Sequence, residues 1–202
     1  MKRPKRLRSR RRELNVVKKF LSLLGDNPSR EGLKETPRRV LDAWQFWCSG
    51  YDQDPADVLK TFEDGAEAYD QLIFQAGIPT WSHCEHHAAM FWGTTHIAYV
   101  PNGRIIGLSK LSKLVEIFAR RLQVQERLCN QVADALMDSG LNPKGVGVVM
   151  QMRHACMESR GIQKVGTVTM TSALRGCIKN EPECRAEFMS FVTTASQGLS
   201  KL

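Results

Sequence analysis

The sequence predicts an α+β fold in which a helical amino-terminal third leads into a core ordered strand, strand, helix, helix, strand, strand. Three observations predict it. Apolar residues recur at helical spacing before residue 50, an Asn-Gly pair separates two strand-like runs near residue 102, and strict alternation begins at residue 146.

Taken in order, Leu14, Val17, Phe20, Leu21 and Leu24 define a first helix that Gly25 stops. Asn27-Pro28 and Gly32 mark a connection. Thr36-Pro37 then supplies an N-cap with proline at the first helical position, opening a helix through Trp44 and Trp47 to Gly50. Asp52, Asp54, Pro55 and Asp64-Gly65 read as loop and short helix, with the first extended segment starting near Tyr69. Asn102-Gly103, flanked by His96 to Val100 and by Arg104 to Ile106, is the signature of a tight type I′ hairpin.

Leu111, Leu114, Val115, Phe118 and Leu122 form an amphipathic stripe entered through Ser109, and continuing it would bury Gln125 and Glu126. The apolar set instead resumes out of phase at Val124, Leu128, Val132 and Leu136, so a break and a second helix ending at Gly140 are expected, with Gln125 and Glu126 at the junction. Polar groups held against a core need partners, which a ligand can supply. Val146, Val148, Met150, Met152, His154 and Cys156 share one face of a strand. After a turn at Gly161, Val168 and Met170 alternate with Thr167, Thr169 and Thr171 in a returning strand.

A chain of 202 residues with 42% hydrophobic content has room for one domain and an appended segment. The formal charge of +8 sits in Lys2, Arg3, Lys5, Arg6, Arg8, Arg10, Arg11 and Arg12, which carry the whole excess of 29 basic over 21 acidic residues. Residues 1–13 are therefore expected to be a disordered basic tail, through which alone nucleic acid or an acidic partner would be reached. Residues 14–66 are expected to form a helical segment and 67–202 the main folded domain. No apolar run approaches the roughly 18 residues that span a bilayer, and no hydrophobic stretch follows the basic start, so a cytoplasmic protein without a membrane partner is expected. In that reducing compartment the six cysteines are expected as thiols, metal ligands or packing groups.

The densest chemistry lies in His83-Cys84-Glu85-His86-His87 and in His154-Ala155-Cys156. Thiolate and imidazole are the usual zinc ligands, and Cys84 with His87 has a short loop spacing that suits one ion. Adjacent His86 and His87 do not readily share that ion, which leaves one for proton transfer. Cys156 can complete three ligands with water in the fourth position, and His154 would project into the same space. Packed histidines with inert thiols, or a closed structural zinc site using His86 or His154 as fourth ligand, remain the other readings. Ser109, Lys110, Lys113 and Arg160 suit phosphates, against a plain solvated helix face.

Arg30-Glu31-Gly32-Leu33, Thr36-Pro37-Arg38-Arg39-Val40, Cys84-Glu85-His86-His87, Ile106-Gly107-Leu108-Ser109-Lys110, Gln123-Val124-Gln125-Glu126-Arg127-Leu128, His154-Ala155-Cys156-Met157 and Arg160-Gly161 occur in the order found in GTP cyclohydrolase I. From about Leu14 to Phe188 the chain resembles that family. The resemblance implies Zn2+ bound by Cys84, His87 and Cys156, with proton transfer by His86 and His154. It implies recognition of the guanine edge by Gln125 and Glu126, and a triphosphate surrounded by Ser109, Lys110, Arg160 and Arg39, with Lys113 on the phosphate side. It further implies hydrolytic opening of the GTP imidazole ring, release of formate and formation of 7,8-dihydroneopterin triphosphate, which feeds folate, tetrahydropterin and 7-deazaguanine synthesis.

The family's tunnelling fold places two antiparallel helices on a four-stranded antiparallel sheet. Its members assemble as toroids, so a homodecamer of two pentamers with sites between subunits is implied. Three departures stand out: Asp42 where lysine is common, Lys113 where arginine is common, and Ala88-Ala89-Met90 where bulkier residues and proline are common. The competing readings are a related tunnelling-fold enzyme acting on another purine or pterin, and a zinc-stabilised protein that binds partners through its basic tail.

Overall fold

A computed structural model of the chain describes residues 10–63 and 69–199. Helix α1 (Arg10–Leu23) packs on α2 (Thr36–Trp47), and α1 already includes Arg10 to Arg12 of the predicted tail. Residues 2–8 of that tail, and Asp64-Gly65, lie outside the described residues. Asp42 on α2 accepts from Arg10 at 2.7 Å and from Arg38 at 3.1 Å, which ties the two helices together. The N-cap of α2 is Glu35, without a side-chain cap bond, and Thr36 is the first helical residue. After α2 a short 3-10 turn (Ser49–Asp52) docks on the core. Gly50 N–H donates to Arg120 O at 3.0 Å, and a side chain at Gly50 would meet Ile117 O at 2.0 Å, so only glycine allows this approach.

The sheet is built from β2 (Ile73–Cys84), β3 (Met90–Val100), β6 (Gly145–His154) and β7 (Thr169–Arg175), paired antiparallel in that order. A two-residue strand β5 (Leu122–Gln123) adds to β2 in parallel, so the observed sheet has five strands where four are expected. Helices α3 (Leu108–Ala119) and α4 (Gln125–Met137) cover one face. Their buried Leu111, Leu114, Leu128, Val132 and Leu136 meet Phe91, Ile97, Tyr99, Val148 and Met150 of the strands. The phase break between the two helices falls where the sequence puts it, and Gln125 opens α4.

Two expectations are corrected. Asn102-Gly103 does not close a hairpin: β4 (Ile105–Ile106) pairs with β1 (Thr61–Phe62), while both edges of β3 are already taken by β2 and β6. Gly103 is left-handed at φ +73°, but Asn102 is not, so the type I′ geometry that needs both is missing. The returning strand starts at Thr169 and runs to Arg175, two residues later than the alternation suggests.

Three elements that the sequence reading leaves unassigned complete the fold: α5 (Ala155–Glu158) caps the end of β6, and α6 (Gly176–Asn180) and α7 (Pro182–Leu199), which follow β7, cover the second face of the sheet. Phe188 and Val192 of α7 pack with Leu72, Ala98, Val149 and Ile178. This second layer buries both sides of β6, which is why its burial is nearly continuous although its apolar residues alternate most clearly on one side. Gly147 makes room for the Phe188 ring, since a Cβ there would stand 2.9 Å from it. Gly147→Ala is expected to destabilise the fold by about 1–3 kcal/mol through this overpacking, read as a lower urea midpoint with an unchanged slope.

Candidate active site

Strand β2 ends at Cys84 and β3 begins at Met90, so Cys84 governs the loop between them. Its N–H donates to Ala89 O at 2.8 Å, and its carbonyl accepts from the amides of Ala88 at 2.8 Å and His87 at 3.4 Å. Ala88 takes φ +52°, a left-handed position at which a bulky or β-branched side chain would be strained. This tight turn brings His87 back over Cys84, with Nδ1 3.8 Å from Sγ, and places His86 Nδ1 3.7 Å from the same sulfur.

Cys156 is not on the strand face as the alternation suggests; the chain coils into α5 directly after His154, and Cys156 sits in that helical turn. The turn carries its sulfur toward the loop, so that ligand atoms of Cys84, His87 and Cys156 lie within 4.8 Å of one another. Metal–ligand bonds of about 2.0–2.3 Å in a tetrahedron space the ligands by roughly 3.3–3.8 Å, so two thiols and an imidazole fit one zinc ion after a small inward adjustment. Among the described residues, neither His86 nor His154 joins that ligand-spaced set, which leaves the fourth position open. Burial and the neighbouring Cys84 sulfur push the Cys156 thiol up, while the Arg160 charge opposes them. A cation between the sulfurs would reverse the balance by drawing both to thiolates.

His154 stands beside the trio, stacked on Phe91 with centroids 4.8 Å apart and planes 8° from parallel. Its Nε2 lies 2.8 Å from Gln125 Oε1. The Gln125 side chain is buried, and its Nε2 donates to the carbonyls of Met150 (3.2 Å) and Thr169 (3.0 Å) and to Thr171 Oγ1 (3.1 Å). Only an amide nitrogen can face two carbonyls, so the amide oxygen faces His154 and the hydrogen between them belongs to the ring. Neutral His154 is thereby held as the Nε2–H tautomer, with Nδ1 as its acceptor. Burial lowers the pKa of His154, against the charges of Glu126 and Glu158. Glu126, next along α4, is exposed near this ring.

Arg127 ties the loop to α4. Its Nε donates to Gln123 Oε1 at 3.0 Å, and its guanidinium reaches Leu122 O at 3.2 Å and the Glu85 carboxylate, which it holds below the usual carboxylate range.

Ser109, Lys110 and Lys113 lie elsewhere. They line a cleft of about 590 Å³ with Trp47, His83 and Arg120, and its walls include none of Cys84, His86, His87, His154 or Cys156. Cys84 joins the core under α3 and α4, whereas His83 lies between Trp44 and Trp47, with centroids 4.8 and 4.7 Å away. Arg39 is exposed on α2, and Arg160 is on the side of the trio.

The sequence pattern of the family described as GTP cyclohydrolase I matches residues 14–193. The chain belongs to the GTP cyclohydrolase I family. Among its relatives, GTP cyclohydrolase 1 of Janthinobacterium sp. (strain Marseille) is 58% identical over 172 residues, covering 85% of this chain and 86% of the relative. GTP cyclohydrolase 1 of Nitrosospira multiformis is 56% identical over 172 residues, covering 85% and 90%. GTP cyclohydrolase 1 of Campylobacter jejuni (strain RM1221) is 47% identical over 185 residues, covering 91% and 95%.

In this member of the GTP cyclohydrolase I family the Gln-Glu pair is divided in two. Gln125 spends its amide on the protein, and Glu126 presents its carboxylate to solvent beside His154. Phe91 and Gln123 escape the sequence reading because cross-strand neighbours leave no local signal, although Gln123 and Arg127 are at i,i+4 spacing. Replacing Gln125 with alanine strands buried acceptors and the ring N–H. A loss of about 1–3 kcal/mol in urea unfolding is expected, with an unchanged melt ruling out the clamp.

Proposed function

We propose that the chain catalyses zinc-dependent hydrolytic opening of the GTP imidazole ring, releasing formate and giving 7,8-dihydroneopterin triphosphate. The observation that carries this reading is the convergence of Cys84, His87 and Cys156 beside a histidine whose tautomer is set by a buried amide. Two thiols and one imidazole favour zinc over magnesium or manganese. Bound there, zinc would supply Lewis acidity toward a water at its open position.

The chain's own residues do the rest. Glu126, with two acceptor oxygens at the start of α4, is placed to take the N–H edge of guanine, while Gln125 serves by holding His154. His154 Nδ1 is the nitrogen left to give or take a proton at the purine ring, since Nε2 is committed to Gln125. Phe91 fixes the plane of that imidazole and keeps water from its inner face. His86 is exposed beside Cys84 and suits proton transfers in the later ring closure.

The triphosphate cations support an assembled site. Ser109, Lys110 and Lys113 open on a different wall of the chain from the metal trio, so one copy does not bring them to its own purine pocket. Strand β7 is an unpaired sheet edge, and Ile162, Val165, Val168 and Met170 are exposed along and before it. An open edge with apolar neighbours favours pairing with a second copy. A tunnelling fold closed into a toroid, as a decamer of two pentamers, satisfies both features.

Purified, zinc-loaded protein incubated with GTP should release formate and develop pterin absorbance, lose both on chelation and regain both with zinc. His154→Ala should lower kcat by about 10²–10⁴-fold with zinc retained. Full formate release by that variant would falsify its role as the proton donor. Light scattering should show a large ring at activity, and a stable, active monomer would overturn the shared site.

A further inference from the structure

Outside the candidate active site, Cys177 and Cys184 bring their sulfurs to 3.4 Å, with the Cys184 thiol donating toward Cys177. Both are partly exposed on a cleft of about 540 Å³ whose walls include Asp70, Lys144, Glu181 and Glu187. The arrangement is built on anchored backbone. Cys177 N–H donates to Lys144 O at 2.9 Å, and Gly145 and Gly176 form a bridge beside it. A Cβ at Gly145 would stand 2.6 Å from the Cys177 sulfur, so glycine there admits the thiol. Cys184 lies in the first turn of α7, four residues before the fully buried Phe188. The sulfurs need to close by only about 1.4 Å to reach the 2.03–2.05 Å of a disulfide.

We propose that Cys177 and Cys184 form a thiol–disulfide exchange site that takes low-molecular-weight disulfides and closes reversibly into a bond stapling α6 to α7. The inference is independent of the reaction proposed for GTP.

Burial, Cys177 and the charges of Glu181 and Glu187 push the Cys184 thiol up to about 12, in keeping with its S–H being directed at Cys177. With the Cys184 S–H directed at it from 3.4 Å, Cys177 is assigned as the attacking sulfur. Its thiolate attacks one sulfur of the small disulfide, forming a mixed disulfide and expelling one small thiolate. Cys184 then loses its proton to solvent, and its sulfur attacks Cys177, forming the internal bond and expelling the second small thiolate. Two protein thiols are oxidised, one small disulfide is reduced to two thiols, and the two protons released match the two thiolates. Among the described residues the ligand-spaced cluster is the Cys84, His87 and Cys156 trio, which the Cys177 and Cys184 pair does not join.

The test treats zinc-loaded, full-length protein with millimolar oxidised glutathione, blocks remaining thiols and maps peptides by mass spectrometry. The expected product is a Cys177–Cys184 cross-linked peptide, lighter by two hydrogens and reopened by dithiothreitol. Cys184→Ser should stop at a stable glutathione adduct on Cys177, whereas Cys177→Ser should leave Cys184 unmodified. A wild-type protein that retains both free thiols, stops at a mixed disulfide, or links only Cys84 to Cys156 overturns the proposal. The wild-type peptide map decides the matter even if a variant fails to fold.

Discussion

The strand register across β2, β3 and β6 is the constraint on which the site depends. Ser82 stands opposite Phe91, and Phe91 stands opposite His154, so the ends of β2 and β6 are level on one face of the sheet. Two residues past Ser82 the chain reaches Cys84, and two past His154 it reaches Cys156. The sulfurs meet because two segments far apart in sequence finish at the same height. A slip of one residue would send Phe91 and His154 to opposite faces and pull the ligands apart. Backbone pairing of long strands, with cores on both faces, is what makes such a slip costly.

Around that frame, the buried polar side chains of Ser82, Gln123 and Gln125 each have partners in the protein. Ser82 Oγ donates to Ala119 O at 2.7 Å, joining β2 to the end of α3. Gln123 donates to Phe118 O at 3.0 Å and to Gln131 Oε1 at 2.8 Å while receiving Arg127, so the junction between α3 and α4 is closed by one amide. Gln125 does the same between α4, β6 and β7. In a low-dielectric interior such groups specify geometry strongly, since leaving one unpaired costs more than a satisfied bond contributes. The polar interruption of the helical stripe therefore has internal partners at Gln123 and Gln125 and is exposed at Glu126.

This division explains what was legible in the sequence. The metal trio was readable because Cys84 and His87 are three residues apart in a loop, and because Cys, His and Cys in that company have few packing uses. The out-of-phase restart at Val124 correctly marked the helix break. The role of Gln125 was not readable, since its partners Met150, Thr169 and Thr171 come from strands more than twenty residues away. Asn102-Gly103 misled because its local turn chemistry was sound while the partner strand position was already filled by β6. Helix α7 escaped notice because, among the described residues, Phe188 and Val192 are its buried apolar anchors, too narrow a stripe to announce a covering layer.

Two of the three departures also take on physical meaning. Asp42 does not stand as a free anion: Arg10 and Arg38 enclose it, so the start of the basic segment is used to hold α1 against α2. Its repulsion toward a polyanion is correspondingly offset by two guanidiniums that remain partly exposed. Lys113 keeps its charge in the cleft but gives up the planar fork of arginine, which leaves phosphate attraction in place and removes bidentate geometry. Charge at this wall is therefore preserved while directionality is reduced. In the proposed site, orientation of the nucleotide then rests on the purine end, where Glu126, His154 and the Cys84, His87 and Cys156 trio are held by strand register and a buried amide rather than by long flexible side chains.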